Sequence, residues 1–326
     1  AGEPFIADEM SEANRLQYTE LLSGMWSEVQ GSVRRSRRGI TDSSWTHVLN
    51  REPLLTAGRA LELGLVDALA YPDELNLSDW GGSEDGLIAA ADYLGTRSED
   101  AGAPLLAVVF AEGDVVDGSD PNAVADYDFN QTVDDLLERD DIQGVVLRIN
   151  SPGGSALASE EIWKEVSLTA AKKPLYVSMG DYAASGGYYI AMPAVKIFAS
   201  PMTITGSIGV FGVVPYAGDF LQSKIGVTTD EVRTHRFGRL SLTHKLSPEE
   251  YAFMQTEVDA VYAQFLDRVV KGRQLSKKTV QRLARGRVWT GTAAKSVGLV
   301  DVLGGLNSCI KALGKEIGIK EVVYYP

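Results

Sequence analysis

Cysteine occurs once in these 326 residues, at Cys309, and histidine three times. One thiol cannot close an internal disulfide, and Cys309 reads as a small core residue. His47, His235 and His244 form no paired His/Cys spacing, which leaves no metal-binding pattern. Positive charge is scarce as well: 31 Lys and Arg stand against 44 Asp and Glu, a net charge of −13. That balance disfavours nucleic acid as a partner, and no Lys/Arg-rich groove segment offsets it. Arg34-Arg35-Ser36-Arg37-Arg38 is the one basic cluster, in the pattern of a solvated helix end. No apolar run reaches the ~18 residues of a membrane span. What remains is a chain 44% hydrophobic and 23% charged, long enough to bury a sizeable core.

The most informative stretch is Asp181-Tyr182-Ala183-Ala184-Ser185-Gly186-Gly187-Tyr188-Tyr189. It sets one small hydroxyl residue between alanines and two glycines, just after Pro174-Leu175-Tyr176-Val177-Ser178-Met179, which reads as a buried strand. The Ala-rich segment after Gly180 reads as a turn into a helix. Ser185 is then expected at a helix N-terminus, where unpaired N–H groups and the helix dipole favour negative charge. Small neighbours leave room for a substrate backbone, and the Gly186 N–H can meet a developing oxyanion. A close-packed strand-to-helix junction without chemistry fits the same residues.

A second strand-like run, Ile142 to Asn150, ends in Ser151-Pro152-Gly153-Gly154-Ser155 before a helical stretch from Ala156. Two glycines after a strand can present N–H groups as an anion-binding nest. The loop lacks both the Walker lysine and the spacing of a dinucleotide fingerprint, so no cofactor is expected. An oxyanion hole suits a donor loop paired with a separate serine turn. Thr205-Gly206-Ser207-Ile208-Gly209-Val210-Phe211-Gly212 is a third glycine-spaced element with one hydroxyl inside it; a tight turn entering a buried strand fits it equally well.

These three segments, followed by Val288-Trp289-Thr290-Gly291 and Gly298-Leu299-Val300-Asp301, resemble in one order the signal peptide peptidase A (protease IV) family of Ser/Lys-dyad serine peptidases, over Leu105 to Leu306. The resemblance implies Ser185 as nucleophile, the N–H groups of Gly154 and Gly186 as the oxyanion hole, and Ser207 as the serine that hydrogen-bonds the catalytic lysine. It implies an α/β fold of the crotonase-like (Clp-type) class, a superhelix of β-β-α units with the active site cupped between strands and helix N-termini. It also implies peptide substrates, notably hydrophobic signal peptides, a homo-oligomer, and no cofactor or metal. Membrane association is expected through a segment not in this chain, on the extracytoplasmic face of a bacterial inner membrane or at a thylakoid-type membrane. A crotonase-type acyl-CoA enzyme shares this fold and oxyanion hole, and a non-catalytic scaffold that has lost its base keeps the fold.

A lysine base must be neutral to accept the serine proton, so burial has to pull its pKa from about 10.4 toward 7–8, at a cost of roughly 4 kcal/mol. In single-repeat relatives it follows the serine, in the region that reads here Arg233-Thr234-His235-Arg236-Phe237-Gly238-Arg239, without a lysine. Lys224 and Lys245 flank that region and suit solvent. His235 aligns near the missing lysine, but neighbouring arginines disfavour its protonated form, and a loop histidine fits better than a general base. Internal repetition offers another source. Thr56 through Asp67 matches Thr290 through Asp301 at a constant offset of 234, and Met10-Ser11 faces Leu246-Ser247 at an offset of 236. Tandem-repeat relatives take the lysine from the first repeat and the serine from the second. Ala1-Gly2-Glu3-Pro4-Phe5 looks like the stretch after the family's Lys-Ser dipeptide, which places the expected base just before Ala1.

The expected organisation is the C-terminal part of a truncated first repeat over 1–80, a polar linker over 81–103 with a helical patch near Leu87–Leu94, and a complete crotonase-like repeat over 104–326. Helices are expected over 10–35, 54–70, 129–139 and 156–171, and strands over 105–111, 143–149, 175–179 and 195–199. Ser247-Pro248-Glu249-Glu250 opens a long helix to about Lys271 with an N-cap serine, proline at N1 and a capping-box glutamate. Its stripe Phe253, Val258, Val261, Phe265 and Val269 reads as core.

Overall fold

The computed structural model describes residues 3, 7–52, 54–71, 104–232, 234–235, 241–319 and 321–325. The expected linker and its helical patch lie outside the described residues. The chain divides into two compact units, one of Ser23–Ala103 and one of Ala1–Leu22 with Pro104–Pro326. Helix α1 (Glu12–Ser36) contains one point of division; α2 (Asp42–Arg51) and α3 (Ala57–Glu62) follow in the smaller unit. The sequence reading did not anticipate α2. Its signal is a reciprocal cap: Thr41 Oγ1 accepts the Ser44 N–H at 3.2 Å, and Ser44 Oγ accepts the Thr41 N–H at 3.0 Å.

The larger unit is built on β1 (Leu105–Glu112), the short β2 (Val115–Val116) and β3 (Val124–Ala125), α4 (Asp126–Glu138), β4 (Ile142–Ser151), α5 (Ala156–Lys172), β5 (Leu175–Ala184) and α6 (Gly186–Tyr189). It continues through β6 (Lys196–Ala199), β7 (Ile204–Gly206), α7 (Pro248–Arg273), α8 (Lys277–Leu283), β8 (Val288–Thr290), α9 (Gly291–Ser296), β9 (Val302–Leu303), α10 (Leu306–Ile317) and β10 (Glu321–Tyr325). The main sheet runs β10-β1-β4-β5-β6-β9, all parallel, with β7 joined to the upper end of β5 and antiparallel to β8. Strands buried on both faces read as near-continuous apolar runs, and that is how β1, β4 and the first half of β5 read. One face carries the main core with α4, α5 and α7; the other is covered by α10, where Cys309 and Leu313 pack on Val146 and Tyr176. Gly144 lets α10 approach: a Cβ there would lie 2.6 Å from Ile317 Cδ1. Burial pushes the Cys309 thiol up to about 12, so it is inert packing, as expected.

The α/β class is the one expected. Three local readings are corrected. Strand β5 runs on to Ala184 and does not turn after Gly180, because its end pairs with β7, Tyr182 beside Ile204 and Ala184 beside Gly206, while Thr203 Oγ1 donates to Gly180 O and Thr205 Oγ1 to Ala183 O, both at 2.7 Å. The α7 stripe is core only in its second half, where Phe265 and Val269 are buried; Val258 and Val261 are half-buried and Phe253 is 59% exposed. Around Thr205 the order is also reversed: a strand leads into the glycine-spaced turn.

The repeated motifs share local geometry. Thr56 and Thr290 each cap a six-residue helix, accepting the N–H of Arg59 and Ala293 at 3.2 Å, and each segment turns at a left-handed glycine, Gly64 at φ +71° and Gly298 at φ +81°. The closing bonds also correspond: Leu65 N–H to Ala60 O, and Leu299 N–H to Ala294 O, both 2.9 Å. Likewise Ser11 accepts the Asn14 N–H and Ser247 the Glu250 N–H, each at 3.2 Å, at the start of the two longest helices described.

Candidate active site

Two strand ends and one crossing turn meet at Ser185. Between Ile149 and Ser151 the β4–β5 register shifts, and the Asn150 side chain fills the gap: its Oδ1 accepts the N–H groups of Asp181 at 3.0 Å and Tyr182 at 3.2 Å. Fully buried Ser151 accepts the Gly153 N–H at 3.1 Å, which folds the Pro152-Gly153-Gly154 loop back over the strand end. Val115 then fixes the far side, its N–H donating to Gly153 O at 3.1 Å and its carbonyl accepting from Ser155 N–H at 2.8 Å. Among the described residues these bonds leave the Gly154 N–H out. Gly153 has φ +98°, and a Cβ on it would sit 2.5 Å from Gly186 N and 2.7 Å from Ser185 Cβ. The loop and the serine turn are therefore in backbone contact, which only glycine permits at that position.

Ser185 itself is at φ 52°, ψ −119°, a region costing about 1–3 kcal/mol for a residue with a side chain. Its N–H donates to Gly206 O at 2.9 Å, and its carbonyl accepts from Tyr188 and Tyr189, so strand and helix lock the turn from both sides. A serine on a strained strand-to-helix turn projects its hydroxyl outward. Helix α6 has only four residues, so the helix dipole expected at Ser185 is small. Ser207 is also left-handed, at φ 50°, held by its N–H to Arg287 O at 2.8 Å. Neither the Ser185 nor the Ser207 hydroxyl has a hydrogen-bond partner among the described residues.

Two cavities open on Ser185. One, of about 360 Å³, is lined by Ser185, Ser207, Gln255, Asp259, Tyr262 and Arg285. The other, of about 580 Å³, is lined by Gly154, Ser185 and Gly186 and extends to Glu160, Tyr189 and Phe265. The four residues singled out in the sequence thus converge, Ser185 with Ser207 in the first and with Gly154 and Gly186 in the second. A third cavity, near Glu112, Asp128 and Tyr324, shares none of them. No lysine or histidine lines either serine cavity among the described residues. His235 is exposed, with Nδ1 3.0 Å from Thr234 Oγ1, and His244 pairs with Glu250 at 2.9 Å. Sequence reasoning gave Asn150 and Ser151 no role of their own; a polar pair closing an apolar strand was their signal.

An α/β fold with a strained serine turn and a glycine-rich donor loop defines a class of site suited to acyl transfer. Residues 167–320 match the model of peptidase family S49. The chain is 36% identical to Protease 4 of Salmonella typhi, over 98% of this chain and 54% of that protein. It is 30% identical to the chloroplastic serine protease SPPA of Arabidopsis thaliana, over 97% of this chain and 49% of that protein. The chain belongs to the signal peptide peptidase A family. It spans about half the length of these relatives. Among solved structures, a ClpP1 variant of Listeria monocytogenes aligns at TM-score 0.44 and 14% identity, over 62% of this chain and 94% of that one. No helix among the described residues is long and apolar enough to cross a membrane.

Proposed function

We propose that this chain is the serine-bearing part of an endopeptidase that hydrolyses hydrophobic peptides such as cleaved signal peptides. In this reading Ser185 Oγ attacks the peptide carbonyl, the C–N bond breaks, and water later releases the acyl group. The Gly154 and Gly186 N–H groups stabilise the oxyanion in each step, a contribution of about 3–4 kcal/mol per donor where such donors have been removed. A neutral lysine outside the described residues takes the serine proton and passes it to the leaving amine, while Ser207 hydrogen-bonds that lysine. The observation that supports the reading is the close approach of the Gly153 loop to the serine turn, where a Cβ on Gly153 would fall 2.5 Å from Gly186 N and 2.7 Å from Ser185 Cβ.

We infer further that residues 1–80 end a first repeat and that 104–326 form a second. The matching caps at Thr56 and Thr290 and the matching left-handed glycines support this. Assembly into a homo-oligomer at a membrane, on its extracytoplasmic side, follows from the family alone. A fluorophosphonate probe tests the chemistry: Ser185 should be labelled once the chain is extended upstream to include the lysine, and Ser185→Ala should abolish labelling. Absence of labelling in the extended chain would favour a scaffold, and turnover of an acyl-CoA thioester a crotonase-type enzyme.

A further inference from the structure

The 580 Å³ cavity beside Ser185 has in its lining one member of an ion pair that the proposed hydrolysis does not use. Glu160, on α5, lines the cavity. Arg268, on α7, reaches it with Nη2 on one carboxylate oxygen and Nε 3.3 Å from the other. The Tyr189 hydroxyl donates to that second oxygen as well. Burial, and the carboxylate beside it, push the Tyr189 hydroxyl up to about 12, so it remains a donor at neutral pH. The guanidinium stacks 3.5 Å from the Trp163 ring, and the Arg268 side chain is only 19% exposed, against 29% for Glu160. Much of the remaining lining, including Val210, Phe211, Val261 and Phe265, is apolar. A lone carboxylate in such a wall would draw in a lysine or arginine side chain; the paired one presents no net charge.

We propose that Arg268 sets the specificity of this cavity: by neutralising Glu160 in its wall, it makes the cavity take an uncharged apolar side chain of the substrate and turn away a basic one. This rests on the reading of Ser185 as a peptide-cleaving centre, and it makes Arg268 a positioning residue that acts through Glu160. Specificity arises here as much from the removed attraction as from apolar contact.

Binding of short fluorescent peptides, identical except for a C-terminal Leu, Lys or Glu, tests it by anisotropy on the 326-residue chain without requiring turnover. The native chain should bind the Leu peptide about tenfold more tightly than the Lys peptide. Arg268→Met should reverse that order, Glu160→Gln should move the preference toward the Glu peptide, and Arg268→Lys should keep the native order. The double variant Glu160→Gln/Arg268→Met should return to Leu. Equal binding of all three peptides by the native chain would overturn the proposal, as would an unchanged order in Glu160→Gln, the arm that decides if Arg268→Met fails to fold. Failure of the Ser185 reading registers separately, as peptide discrimination without probe labelling.

Discussion

At the scale of single residues, the site depends most on a glycine that carries no chemistry. Gly153 holds φ +98° and lies against the Ser185 turn so closely that a Cβ would meet Gly186 N at 2.5 Å and Ala184 O at 2.8 Å, all backbone atoms that cannot swing aside. Gly153→Ala therefore combines an unfavourable φ with a clash, and should lower stability by about 1–3 kcal/mol. By displacing the donor loop it should also slow Ser185 labelling by ~10²-fold, the effect of a misplacement near 1 Å. Thermal unfolding and probe kinetics check this together. Gly58→Ala in α3, where a Cβ meets nothing within 4 Å, is the control and should leave labelling unchanged. That Gly154, Ser185 and Gly186 line one cavity agrees with the sequence pattern of small residues after apolar strands. The decisive role of Gly153 was not legible there, since it comes from contact with a turn that folds against it only in the tertiary structure. The same holds for Glu160 and Arg268, which sit mid-helix with nothing local to mark them.

Among the elements, a local cap marked α7 in the sequence, whereas α2, with an equally local Thr41/Ser44 cap, went unread. Helix α7 starts at Pro248 as expected, with Ser247 Oγ accepting the Glu250 N–H at 3.2 Å and a Glu250 carboxylate oxygen accepting the Ser247 N–H at 2.8 Å. His244 adds a contact to the same carboxylate, at 2.9 Å. Strands were read less completely. The end of β5 depends on Asn150, Thr203 and Thr205, and β10 forms by pairing with the sequence-distant β1, Leu105 beside Glu321. Ser247→Ala should cost about 1 kcal/mol of stability, the usual worth of an N-cap. The Glu250 cap adds a pH dependence with a definite sign. The Ser247 backbone N–H first, then His244 and the Ser247 hydroxyl, lower its carboxyl from the ordinary 4.5 to about 2. A group with a depressed folded-state pKa stabilises fully above its unfolded value and loses that stabilisation as pH falls toward the folded value. The difference in melting temperature between the native chain and Glu250→Gln should thus be constant above about pH 5 and shrink toward pH 2. A difference that grew on acidification would contradict the cap geometry.

Across the whole molecule, burial is distributed very unevenly. Leu106, Ala107, Val108 and Val109 of β1 are each 2% exposed or less, and β4 and β5 are sealed by cores on both faces of the sheet. In the smaller unit the only buried apolar side chain among the described residues is Val48, while Leu49, Leu54 and Leu61 are exposed. The α/β class came with the family resemblance, and the order of apolar strands and helices along the chain agrees with it. This imbalance was not legible in the sequence, since periodicity reports which face of an element is apolar and says nothing of whether a partner covers it. Local opening free energies follow buried apolar contact, from near zero in poorly packed segments to the global value in a core. In the 326-residue chain, amides of α2 and α3 should exchange with deuterium at least ~10³-fold faster than those of β1 and β4, relative to their intrinsic rates. The Thr41 and Thr56 caps satisfy backbone donors at the start of each helix, but capping offsets only about 1 kcal/mol per helix and cannot replace a core. Protection in α2 equal to that in β4 would mean that the smaller unit is stable by itself, and would contradict this reading of the exposed Leu49, Leu54 and Leu61.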